Sequence, residues 1–329
     1  MYTSKDIAIV ILNWNGKNLL EQFLPSVLKF SEDASVYVID NKSADGSSAF
    51  IKSKFEAIKV IELDDNYGYA KGYNLGLAHI NHPIVCLLNN DVAVTQNWLV
   101  PILDSYNATD AAIIQPKLLD FKAKEYFEYA GAAGGFIDKL GYPYCRGRIF
   151  NSIEKDNRQY NDTFPIFWAS GACLFIKKDI IEELNGFDEQ FFAHMEEIDL
   201  CWRAFNYGYS TLYIGQSNIY HLGGATLNHN NPKKTYLNFR NSLYTLVKNA
   251  HGNLSVLVFS RLLLDGIAGL RFIMQFKWLH FVAILKAHFS FYKAIPRLLK
   301  QRKSLIQRKG YYKRTSIVWS YFVRNNQVY

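Results

Sequence analysis

The chain has 329 residues, 49% of them apolar, which is enough for a full core and too much for a mainly disordered protein. Its formal charge of +8 conceals a division: residues 229–329 carry 18 Lys or Arg against the single acidic Asp265, whereas residues 1–228 carry 19 basic and 28 acidic residues. Cys86, Cys145, Cys173 and Cys201 stand far apart with no CxxC pair, which argues against a zinc cluster or disulfide framework and for free thiols in a reducing cytosol.

The opening MYTSKDIAIVILNWNG has a short apolar run and no small-residue cleavage site, so no signal peptide is expected. No run reaches the roughly 18 apolar residues of an ordinary membrane-spanning helix. Strand and helix signals then alternate: strands at 7–12, 35–40, 59–63 and 84–88, and helices at 18–30, 46–55 and 69–80. That repetition predicts a parallel sheet with right-handed crossovers and a ligand site at the strand C-terminal ends. Each strand runs into polar residues: NWN, DNKSADG, DDNYG and NND. Four polar loops should therefore converge on one edge. Residues 115–165 read as irregular structure or short antiparallel strands over that edge, 167–176 as another strand, and 177–186 as a helix closed by Asn-Gly.

Several residues in these loops have the chemistry of a binding site. Asp40, ending the second strand, can accept hydrogen bonds from a nucleobase or ribose, although a turn aspartate bonding its own loop is the competing reading. Asn66 and Lys71 lie in a glycine-punctuated helix entry where backbone N–H groups and a lysine can face phosphates. Asp91 with Asn89 offers oxygen to a hard cation such as Mg²⁺ or Mn²⁺, and an Asx turn explains the pair equally well. His221, at the end of another apolar segment, is a candidate ligand for manganese or a structural histidine. In GFDEQFFAHMEEIDLCWRA, Glu196, Asp199 and Arg203 share one helical face, Asp199 and Arg203 having ion-pair spacing, while Glu197 points elsewhere. Two adjacent glutamates at a helix start suit a general base.

Taken in order, NWNG, DNKSADGS, NYGYAKGYNLG, NND, ASGACLFIKKD and GFDEQFFAHMEEIDLCWR resemble glycosyltransferase family 2 over residues 7–250, most of all its rhamnosyltransferase-like members. The resemblance implies an inverting enzyme of GT-A fold: a Rossmann-like, mostly parallel sheet with flanking helices. It implies that Asn13, Asn15 and Asp40 grip the nucleoside of a UDP- or dTDP-linked sugar, with Asn66 and Lys71 nearby. The family's D-x-D motif for metal and diphosphate falls on Asn89-Asn90-Asp91, and His221 corresponds to a later histidine that joins the metal in some members. The family's E-D pair reads Glu196-Glu197, and Glu197 takes the place of the catalytic Asp. Two positions depart from the pattern: Asn89 replaces the first acid, and Glu197 is one methylene longer than Asp. The alternative is a non-catalytic homologue attached to a membrane as partner of another transferase. A nucleotidyltransferase lacks its G-x-G-x-R loop here, and a dehydrogenase its G-x-G-x-x-G.

The remainder, 251–329, reads as a basic amphipathic helical extension to the 1–250 catalytic domain. Over 253–276 the sequence is apolar around most of a helical wheel, with Arg261, Asp265, Arg271 and Gln275 gathered on one side. Farther on, Lys286, Lys293, Arg297 and Lys300 form a second stripe. A subdomain packed on the core is one reading. The favoured one is a helix lying on an anionic bilayer, which makes the protein cytoplasmic and peripheral on the cytoplasmic membrane face, with a polyprenyl-linked saccharide acceptor and no nucleic-acid partner.

Overall fold

A computed structural model describes residues 1–223 and 231–329. Strands β1 (Ile7–Asn13), β2 (Ser35–Asp40), β3 (Lys59–Glu62) and β4 (Ile84–Asn89) alternate with helices α1 (Lys17–Phe30), α2 (Ser47–Lys54) and α3 (Gly68–Leu77). They pair in parallel in the spatial order β3-β2-β1-β4, as the alternation of elements predicts. Strand β1 is buried on both faces because its side chains alternate between two cores: Ile7, Ile9 and Ile11 enter one, and Ala8 and Val10 enter the other.

Beyond β4 the sheet becomes mixed. It recruits β5 (Val92–Val94), β6 (Ile113–Asp120), β11 (Thr163–Ile166), β12 (Cys173–Lys177) and β13 (Thr211–His221), with α4 (Val100–Ala108) between β5 and β6. β12 lies antiparallel between β4 and β6, and β13 runs parallel to β6. The strand expected at 167–176 is thus confined to its second half. Ahead of it Trp168 makes a single antiparallel bridge with Gly135, and a turn follows in which the Cys173 N–H bonds back to Ser170 O at 3.2 Å and Ser170 N–H reaches Gln115 Oε1 at 2.8 Å. Within 115–165 the expected short antiparallel strands form a second sheet from β7 (Gly135–Ile137), β8 (Pro143–Cys145), β9 (Arg148–Ile149) and β10 (Ser152–Ile153). Residues 115–120, by contrast, belong to β6 of the main sheet; Pro116 and Lys117 hide a strand whose burial is nearly complete.

After β12 the chain is helical apart from β13: α5 (Lys178–Glu183), α6 (Glu196–Tyr207), α7 (Pro232–Asn249), α8 (Leu254–Met274), α9 (Trp278–Lys303) and α10 (Ile317–Phe322). α5 ends as expected, with Asn185 and Gly186 at φ 57° and 65°. α8 and α9 fall where the sequence places helices, but α8 is turned around. The first half of its polar stripe faces inward, while Arg271 and Gln275 stay exposed: Arg261 Nε donates to Asp265 Oδ1 at 2.8 Å, Tyr142 Oη donates to the same oxygen at 2.8 Å, and His288 Nε2 lies 3.3 Å from Asp265 Oδ2. The guanidinium also sits 3.7 Å over the Tyr142 ring. These groups satisfy one another away from water, so Arg261 and Asp265 are buried and do not form the cationic surface expected of them. Farther on, Tyr311 packs against Trp202 and the Ile317 N–H donates to Asp138 Oδ2 at 2.8 Å, so the last residues are fastened to the sheet domain.

Candidate active site

β1 and β2 end side by side, with Asn13 in register with Asp40. Because a strand must end somewhere polar at the sheet rim, these two side chains are buried yet turned toward each other: Asn13 Nδ2 donates to Asp40 Oδ1 at 3.2 Å. Ser43 N–H donates to Asp40 Oδ2 at 3.0 Å, and Ser43 Oγ accepts from the Asn15 N–H at 2.9 Å. Asn15 adopts φ 51° and its side-chain oxygen accepts from Ala44 N–H at 2.7 Å. Asn90 Nδ2 donates to Asn13 Oδ1 at 3.0 Å, tying the NND turn to the same group. The glycine of NWNG has a steric reason: a Cβ on Gly16 would collide with the Asn13 and Asn90 side chains. Asn66 joins through Asn41, whose Nδ2 donates to Asn66 Oδ1 at 3.0 Å. Lys71 lies with its ammonium 4.2 Å over the Tyr67 ring.

The NND turn hands the chain from one sheet neighbour to another. β4 pairs with β1 and β12, while β5 pairs with β13 and sets Val92 opposite His221. Asp91 therefore stands beside His221, Oδ1 to Nε2 at 3.1 Å, with Asn89 Nδ2 3.4 Å from the same nitrogen. Behind the ring, Nδ1 faces Glu128 Oε1 at 3.3 Å. All three charged residues are buried. Burial opposes a charge on His221, but Glu128 and Asp91 outweigh it and push the imidazole up to about 10. Among the described residues no cage of three or more His, Cys, Asp or Glu ligands exists. The donor chemistry fits instead a hard divalent ion that takes one carboxylate and one imidazole from the protein and the rest from phosphate oxygens and water. Glu128, on the other ring nitrogen, is placed to orient the imidazole.

Glu196 and Glu197 begin α6 directly after a tightly wound approach: Phe192, His194 and Met195 have φ 60°, 69° and 73°. Side chains other than glycine rarely take this left-handed region, and runs of it cluster at functional sites. What holds it is Asn241 of α7, whose Nδ2 lies 3.1, 2.9 and 2.7 Å from the carbonyls of Phe191, Ala193 and His194. The NYG loop meets the same segment, Tyr69 N–H donating to Phe192 O at 3.0 Å; Gly68, at φ 73°, leaves room for the Phe192 ring. Tyr69 Oη in turn donates to Gly171 O at 3.0 Å. The Glu197 carboxyl carbon stands 3.8 Å from where a Cβ on Gly171 would be, so the ASG turn, Tyr69 and Glu197 surround one small space.

Neither Glu196 Oε2 nor Glu197 Oε2 has a hydrogen-bond partner among the described residues. Burial raises both carboxyls, Glu197 to about 7, and Glu196 well above its usual value with a further push from Glu197. Asp199, by contrast, is consumed structurally: it binds Arg203 Nε at 2.9 Å, Lys248 Nζ at 3.0 Å and Asn249 Nδ2 at 2.8 Å. Sequence reasoning missed Glu128, Tyr69, Gly171 and Asn241. Gly171 and Tyr69 did lie in motifs the sequence shows, ASGACLFIKKD and NYGYAKGYNLG, without a role of their own; Glu128 and Asn241 carried no signal.

A sheet with this order, four polar strand ends on one rim and two glutamates at a helix start define the glycosyltransferase class of GT-A fold. Residues 8–184 match the family model described as glycosyl transferase family 2, and the chain belongs to that family. It is 24% identical over 250 residues to the low-salt glycan biosynthesis hexosyltransferase Agl10 of Haloferax volcanii, covering 72% of this chain and 74% of that one. It is 23% identical over 232 residues to the N-acetylglucosaminyl-diphospho-decaprenol L-rhamnosyltransferase of Mycobacterium tuberculosis, covering 65% and 75%. Among solved structures, the mannosyltransferase PcManGT from Pyrobaculum calidifontis in complex with GDP-Man and Mn²⁺ superposes with a TM-score of 0.53 at 11% identity, over 91% of this chain and 79% of that one.

Proposed function

We propose that the protein moves a sugar from a UDP- or dTDP-linked donor to a hydroxyl of a polyprenyl-linked saccharide, with inversion, in the assembly of a cell-surface glycan. The observation that carries this reading is the half-buried Glu197, which has a carboxylate oxygen without a hydrogen-bond partner among the described residues and whose carboxyl carbon stands beside Gly171 and Tyr69. An ordinary structural glutamate would be paired. In the reaction Glu197 takes the proton of the acceptor hydroxyl as that oxygen attacks the anomeric carbon; the bond from that carbon to the diphosphate breaks, and the nucleoside diphosphate leaves. Glu196, buried beside it, keeps the pair's affinity for a proton high. Asn13, Asn15, Asp40 and Asn66 hold the nucleoside, with Asn89, Asn90 and Lys71 on the diphosphate side. Asp91 and His221 hold a divalent ion, Mg²⁺ or Mn²⁺, which supplies Lewis-acid stabilisation of the leaving diphosphate when bound.

The acceptor class is supported by the decaprenol-linked substrate in the name of the mycobacterial relative. A prenyl-linked acceptor places the enzyme at the cytoplasmic face of a membrane, where the basic C-terminal region meets anionic lipid. The test is turnover of a panel of nucleotide sugars with a diphosphoprenol-linked N-acetylglucosamine and Mn²⁺. Acceptor-dependent release of nucleoside diphosphate, with an inverted anomeric centre in the product, is expected. Absence of release from every donor would leave the non-catalytic homologue as the better reading.

A further inference from the structure

With Arg261 and Asp265 turned inward, the middle of α8 presents apolar side chains to water. Phe259, Leu263, Ile267 and Leu270 are between 55% and 64% exposed, and they recur at helical spacing as one stripe. The stripe continues into the α8–α9 turn, where Phe276 is 84% and Leu279 70% exposed, with Trp278 between them. A soluble surface rarely gathers this much contiguous apolar area without a partner. Among the described residues no helix is long and apolar enough to cross a membrane, and the exposed side chains run along the side of α8, so a partner meets the helix side-on.

Charge decides what that partner is. Lys277 is exposed in the α8–α9 turn, Lys286 and Lys293 are exposed on α9, and residues 229–329 carry a net +17. A second copy would bring two such regions face to face, whereas an anionic leaflet offers hydrocarbon to the stripe and phosphate to the lysines. The position of the turn matters too. His280, just past it, lies with Nδ1 2.7 Å from Thr235 Oγ1 in the first turn of α7. In the same turn of α7, Lys233 holds its ammonium 5.2 Å over the ring of Phe192, in the segment that leads to Glu196 and Glu197.

We infer that the α8–α9 hairpin is a bilayer-inserting surface, its apolar stripe entering the headgroup and acyl-chain boundary of an anionic leaflet beside the acceptor entrance. Attachment is then mainly hydrophobic, with the lysines adding to it, and does not depend on a cationic stripe laid on the surface. The acceptor clause rests on the proposed function; insertion itself does not.

The experiment uses the full chain and vesicles of phosphatidylcholine with phosphatidylglycerol. Wild type should co-float, keep part of its binding at high salt, and show quenching of tryptophan fluorescence by acyl-brominated lipids. Most of that quenching should disappear in Trp278→Phe while the variant still co-floats. Ile267→Glu and Leu279→Glu should each lower partitioning about tenfold or more, with thermal melting and transfer to a short-chain, water-soluble acceptor unchanged. Binding abolished by salt with no acyl-chain quenching, variants that bind like wild type, or a stable dimer split by these substitutions would each overturn the inference. Loss of transfer in wild type alongside intact insertion would overturn the function and leave the insertion standing.

Discussion

Glu128 Oε1 lies 3.3 Å from His221 Nδ1, on the side of the ring away from Asp91. The imidazole is thereby held between two carboxylates, one able to share an ion with it and one able only to aim it. Replacing Glu128 by Gln should weaken Mn²⁺ binding about 10–100-fold, measured by calorimetry in the presence of UDP. Unchanged affinity would make the contact structural.

Asp91→Ala should remove the metal dependence of nucleotide binding. Calorimetry with UDP or dTDP, with and without Mn²⁺, is expected to show tighter binding with the ion for wild type and no difference for the variant. Equal affinities in both conditions for wild type as well would exclude a metal role for this turn.

Glu197→Gln keeps shape and hydrogen-bonding capacity but cannot accept a proton. Turnover should fall roughly 10²-fold or more, while donor affinity stays near that of wild type. Should Glu196→Gln abolish turnover and Glu197→Gln spare it, the base is the neighbour.

The raised carboxyl makes a pH prediction in two parts. A base must be ionised, and burial lifts Glu197 from 4.5 to about 7, so kcat/KM should fall as pH drops below about 7. For stability the sign runs the other way: the contribution of the neutral carboxyl is fully present below about 4.5 and is lost as pH rises through about 7. Glu197→Gln should therefore melt at a higher temperature than wild type above neutral pH, by scanning calorimetry. Equal melting temperatures across the range would show that the carboxyl is not raised.

Asn241→Ala removes the amide that holds the Phe191, Ala193 and His194 carbonyls over the left-handed segment. A cost of about 1–3 kcal/mol in urea denaturation is expected from the unpaired carbonyls. Turnover should drop as well, with donor affinity kept, because the segment carries the two glutamates. Stability lost with turnover unchanged would mean that the strain serves the fold alone.

Local signals in the sequence determined the parallel β-α units, the polar strand ends and the Asp199–Arg203 pair, because alternation of period two, helical spacing and i,i+4 ion pairing all act within a few residues. The same locality placed Asn13, Asp40, Asn89 and Asp91 at strand tips. Tertiary structure alone decided who meets at those tips. Asp91 reaches His221 only because β5 leaves β4's neighbours to pair with β13. Glu128 joins them from a loop that no periodicity marks, and Asn241 reaches the glutamate segment from a separate helix. The helical wheel of α8 separates its polar side from its apolar side but carries no information on which faces the protein. Tyr142 and His288 settle that by pairing with Asp265, and this contact turns the apolar stripe outward.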